Sequence, residues 1–195
     1  MPKRTAERIL DAAEAVFAER GFDAASLGDV ADRVGIRPQA IYNHFSGKRE
    51  LYAAVLERLL DPFLELLDDA ATTGGSQAAH ALTRDIAFHA RNPHLARILQ
   101  YATLGGGEPL ELIQKRWYRP FFERALLLAP EKNAIVQKNP ALLPWVICAF
   151  HSLILGYATM APLHRELLGI DPFSAEGVAR QTELLQELLR LLNRD

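Results

Sequence analysis

Between Val34 and Phe45 the chain reads VGIRPQAIYNHF. Ile41 and Phe45 stand four apart, on one side of a helix that Pro38 is suited to open. That spacing turns Arg37, Gln39, Ala40 and Asn43 to the opposite side, and the outward set has a specific chemistry. Arginine donates two parallel bonds to a guanine edge, glutamine or asparagine does the same with adenine, and alanine leaves room for a thymine methyl. Arg33, Arg37, Lys48 and Arg49 fall between positions 33 and 49 with no acidic residue among them. Residues 1–50 as a whole balance eight basic against eight acidic residues, so charge is segregated rather than added. A polar surface helix without a partner is the competing reading. A helix that meets double-stranded DNA fits the pattern better.

The surrounding elements must hold that helix in place. Ile9, Ala13, Val16 and Phe17 form one apolar stripe, which predicts a helix over 5–20 closed by Gly21. Ser26, with Asp29 three residues on, is a capping-box pattern opening a second helix that Gly35 ends. The helix-turn-helix so formed covers about 26–45. A fourth helix is expected from near Gly47 through 70, with Pro62 able to kink it. TTGGS at 72–76 reads as a loop. Helices follow at 77–91, 93–103, 109–128 (bent at Arg119–Pro120), 140–166 and 174–193. No strand alternation is present, so the fold class is all-α.

The segment AERILDAAEAVFAERGFDAASLGDVADRVGIRPQAIYNHFSGKREL resembles the N-terminal DNA-binding domain of the TetR family of bacterial transcriptional regulators. Phe17, Gly21–Phe22, Ser26, VADRVGI, the run Tyr42-Asn43-His44-Phe45, Lys48 and Leu51 carry the likeness. Pro38 and Gln39 depart from it, where the family often has a small or basic residue and glycine. The resemblance implies an N-terminal three-helix DNA-binding domain over 1–50 and a larger helical effector-binding and dimerisation domain over 51–195. It implies phosphate contacts from Tyr42, His44 and Lys48, with Arg37, Gln39 and Asn43 at base edges. For Ser26 it adds a backbone contact to the capping role, while Tyr42 could equally be a packing aromatic. Lys3 and Arg4 read either as an arm reaching DNA or as a solvated terminus.

Beyond residue 52 no comparable motif occurs. Ala141 to Leu163 contains no Asp, Glu, Lys or Arg, which by length qualifies as a membrane span. Pro144, Pro162, His151, Ser152 and Thr159 within it, and the lack of a second span, argue instead for a buried helix. With the leucine-rich last helix it would form a four-helix interface in a homodimer. Such a dimer would set two recognition helices about 34–36 Å apart on a palindromic operator. Phe88, His89, Tyr101, Trp117, Tyr118, Phe121, Phe122, Trp145 and His151 are candidates for the wall of a cavity taking a small, largely apolar effector. Aromatics at helical spacing also serve simply as core.

Composition narrows the remaining options. The 195 residues are 49% hydrophobic and 24% charged, with net charge −2, as in an ordinary globular protein. One cysteine, Cys148, excludes an internal disulfide and reads as inert packing in a reducing cytoplasm. His89 and His94 straddle Pro93, and no HExxH or CxxC occurs, so no metal ligands are assigned. No cofactor fingerprint, P-loop or nucleophile elbow is found, and an enzyme is not expected. The reading is a cytoplasmic DNA-binding regulator, a repressor, with no membrane partner.

Overall fold

A computed structural model describes residues 4–72, 77–128 and 134–192. Lys3 and most of the expected loop at 72–76 lie outside the described residues. The helices, in chain order, are α1 (Thr5–Ala24), α2 (Leu27–Val34), α3 (Pro38–Ile41), α4 (Lys48–Thr72), α5 (Gln77–Arg91), α6 (Pro93–Gly105), α7 (Gly107–Ile113), α8 (Arg119–Leu127), α9 (Ala134–Lys138), α10 (Leu143–Thr159), α11 (Ala161–Leu168) and α12 (Ala175–Leu192). The all-α expectation holds, and no strand occurs among the described residues.

Local chemistry explains the boundaries. Ser26 caps α2 reciprocally: its Oγ accepts from the Asp29 N–H at 3.1 Å, and the Asp29 carboxylate accepts from the Ser26 N–H at 2.9 Å. Gly35 follows α2 at φ 75°, a left-handed position that lets the chain reverse toward α3. Gly21 interrupts α1 at φ 72°, ψ 177°, after which one further turn runs to Ala24.

Two expected helices are divided. The 109–128 helix becomes α7 and α8 joined by a π-helical turn, Gln114–Tyr118. Pro120 has no N–H to give and would collide with the preceding turn, and the widened turn accommodates it; the Arg119 N–H reaches back five residues to Gln114. The 140–166 helix becomes a short 3-10 turn, Pro140–Leu142, then α10 and α11, with Pro162 in the first turn of α11. Pro62, by contrast, is carried inside α4.

One hydrophobic core extends from Ile9 on α1 through Val30, Ile41, Leu51 and Leu56 to Trp117 and Phe121. It crosses residue 50 without a gap. A smaller cluster, Leu82, Ile86, Ile154 and Leu185, ties α5, α10 and α12 together. α10 itself is little covered: of the apolar stretch Pro140–Thr159, long enough to cross a membrane, 11% is buried. Its exposed residues Trp145, Cys148, Ala149, Ser152 and Leu153 repeat at helical spacing and make one outward stripe. Cys148 is therefore exposed rather than packed inside the protomer.

Candidate nucleic-acid interface and effector cavity

The helix-turn-helix face is built on α1. Ile41 is fully buried and Phe45 nearly so, which fixes α3 against the core. The recognition helix is a single α-turn, extended by backbone bonds from the His44 and Phe45 N–H groups to the Ile41 carbonyl. Arg37, Gln39, Tyr42, Asn43 and His44 are exposed, and Ala40 is half-buried between them. Arg33 is held by Glu19 at 2.7 Å and Arg49 pairs with Glu108, so neither basic group is idle. Ser26 is exposed at its cap.

Lys48 is placed differently from its expected role. Its Nζ donates to the carbonyls of Phe22, Asp23 and Ala25 at 2.8, 3.2 and 3.0 Å, and sits 4.5 Å from the Phe22 ring centre. All three ammonium donors are spent closing the end of α1, where the helix dipole favours a cation. Lys48 thus ties α4 to α1, and a phosphate would have to displace those bonds.

The cavity residues separate into three groups. Phe121 and His151 line a cavity of ≈ 110 Å³ bounded by α4, α5, α8, α10 and α12. His89, Trp117, Tyr118, Phe121 and His151 line a smaller adjoining space of ≈ 20 Å³. Phe88 lines neither; it is core, its ring 5.1 Å from that of Phe63. Tyr101 and Trp145 do not reach the cavity. Tyr101 lies on α6 against α1, and Trp145, 72% exposed, belongs to the outward stripe of α10.

Asp85 escaped the sequence reading. It is 8% exposed, on α5 one turn before His89, and its Oδ1 lies 3.3 Å from the His89 Nε2. Its other oxygen is 4.0 Å from the His151 Nδ1. Burial raises this carboxyl, but the imidazoles of His151 and His89 outweigh that and hold it at about 2. Burial, with the Asp85 charge, pushes the Tyr118 phenol up to about 12. The signal that could have found Asp85 is an acid and a histidine four apart, the helical neighbour spacing.

Comparison with known proteins agrees with this architecture. Residues 9–55 match the family described as bacterial regulatory proteins, tetR family. The chain is 31% identical over 176 residues to the HTH-type transcriptional repressor Rv3405c of Mycobacterium tuberculosis, covering 89% of this chain and 82% of that one. It is 42% identical to the HTH-type transcriptional activator FasR of Mycolicibacterium smegmatis, but over only 66 residues, 34% of this chain and 30% of that one. In fold it is similar to the ketosteroid transcriptional regulator KstR2 of Mycobacterium tuberculosis, with TM-score 0.77, 17% identity, and 100% and 98% of the two chains covered. The chain belongs to the TetR family of bacterial transcriptional regulators.

Proposed function

We propose that this regulator is a cytoplasmic homodimeric repressor that binds a palindromic operator through residues 1–50 and is released by a small, mostly apolar molecule bound within residues 51–195. The observation that carries the reading is an exposed, unengaged polar face on a short helix whose other face is locked in the core. Arg37, Gln39 and Asn43 have no side-chain partner among the described residues. Tyr42 and His44 flank them as phosphate contacts, and the helix-turn-helix supplies the geometry for the major groove.

The outward stripe of α10 and the exposed Leu184 and Leu191 of α12 support association with a second copy, since apolar faces of this extent are rarely left in water. A membrane anchor would leave that stripe alone in lipid, with the charged residues of α12 beside it. The cavity supports the effector. Its walls are almost wholly aliphatic and aromatic, with Asp85 and His151 as the polar groups, and its volume suits a molecule about the size of benzene.

Release follows from how the elements are joined. α5, α8 and α10 bound the cavity, while α6 and α4 rest on α1. A ligand that prefers a shifted α4 or α6 changes the separation of the recognition helices in a dimer and lowers operator affinity.

The test is selection of bound duplexes from a randomised double-stranded DNA pool near physiological salt. An enriched inverted repeat is the expected result. Failure to enrich any repeat, with protein refolded free of carried-over ligand, would overturn the reading.

A further inference from the structure

We infer that Asp85, His89 and His151 form a binding site for a divalent late first-row transition metal such as zinc or cobalt, set between the two cavity spaces. It rests on the cavity reading for its location only.

The three groups offer one ligand atom each, all within 4.8 Å of one another. Ligands held about 2.1 Å from one ion stand roughly 3.0–4.2 Å apart, depending on the angle between them. The Asp85 Oδ1–His89 Nε2 separation, 3.3 Å, already falls in that window, and the other carboxylate oxygen stands 4.0 Å from the His151 Nδ1. Small side-chain rotations bring in the remainder. Two imidazoles and a carboxylate suit zinc, cobalt or iron rather than magnesium or calcium, which prefer oxygen.

Asp85 Oδ1, both ring nitrogens of His89 and Nδ1 of His151 are buried and make no hydrogen bond within the protein. Asp85 and His89 are 8% and 3% exposed, and no arginine or lysine neutralises the carboxylate. Four orphaned polar atoms converging in an apolar interior are costly unless something binds them. A cation that takes the carboxylate and one lone pair from each imidazole partners three of the four.

The residues around the cluster fit the same assignment. Asp85 and His89 come from one face of α5, and His151 comes from α10, so an ion would pin two helices across the cavity. The Tyr118 hydroxyl lies 3.3 Å from the His151 Nε2. With the Nε2–H donating to the Tyr118 oxygen, Nδ1 keeps its lone pair toward Asp85, and Tyr118 acts as a positioning residue. Both cavity spaces touch the cluster, so an open coordination position would face whatever molecule occupies them.

The experiment uses the full chain, stripped with a chelator and titrated with cobalt(II) in the absence of DNA. One cobalt per protomer is expected, with the visible absorption of a low-coordinate nitrogen–oxygen site and no sulfur-to-metal band, since Cys148 lies elsewhere. Asp85→Asn and His151→Gln should fall to the level of surface histidines, His80→Gln should bind like the parent, and Tyr118→Phe should weaken binding by about tenfold. Should a ligand variant fail to fold, imidazole nitrogen spectra of the parent with zinc decide the matter: His89 and His151 shift and the other four histidines do not. Binding unaffected by the ligand variants, or shifts spread over the exposed histidines, would overturn the site. Neither result touches operator binding, which is measured separately.

Discussion

The hydroxyl of Tyr101 on α6 donates to the carbonyl of Glu19 on α1 at 3.0 Å, while its ring covers Gly21 so closely that an added Cβ would stand 2.9 Å from it. One residue of α6 therefore rests on the break in α1. His94 reaches Glu14 at 3.0 Å along the same seam. Replacing Gly21 by alanine forces a left-handed, near-extended backbone on a residue with a side chain and pushes Tyr101 away. A loss of about 2 kcal/mol in urea unfolding is expected. In a Tyr101→Ala background, where that ring is already gone, the same Gly21 replacement should cost only the backbone part; no cost there would show that the conformation at Gly21 is unstrained.

Lys48→Ala removes a cation from three carbonyls at the end of α1. We expect a drop of about 1–2 kcal/mol in stability, read from thermal unfolding. The dependence of operator affinity on salt should match the parent at a temperature where both are folded. A slope smaller by about one unit would return Lys48 to the phosphates.

Asn43→Ala changes no intramolecular bond and should leave stability within about 0.5 kcal/mol of the parent. Its effect belongs to the DNA. The duplexes selected by the variant should lose preference at one position in each half-site, each substitution there having cost the parent about 1–3 kcal/mol. An unchanged motif would remove Asn43 from the reading face.

Leu184→Glu together with Leu153→Glu places carboxylates on the exposed faces of α12 and α10. Sedimentation equilibrium should find a dimer for the parent and a monomer for the variant, with helical content retained. Operator affinity should collapse with it, because one single-turn recognition helix binds weakly alone. A variant that stays dimeric would move the interface off these helices.

The helix-turn-helix was legible because its signals are local. Ser26, Gly35, Pro38 and the Ile41–Phe45 spacing each act within a few residues, and the structure places all of them where that chemistry requires. The cavity was legible only in part. Trp117, Tyr118, Phe121, His89 and His151 converge, but Tyr101 and Trp145 share their composition and not their direction, which tertiary packing decides. The carbonyl partners of Lys48 could not be read from the sequence, because they lie more than twenty residues away. Asp85 went unnoticed for the same reason: its second histidine arrives from α10, sixty-six positions along the chain.

α10 presents His151 to the cavity on one side and the Trp145–Leu153 stripe to the outside on the other. A helix is only about 10 Å across, so those two faces cannot move separately. In a pair joined through the stripe, each copy's α10 is part of the wall of its own cavity and part of the floor its twin stands on. Filling one cavity then alters the affinity of the other, and the response to a ligand would be cooperative between copies, with the sign set by whether the pair tolerates one shifted α10 or demands two.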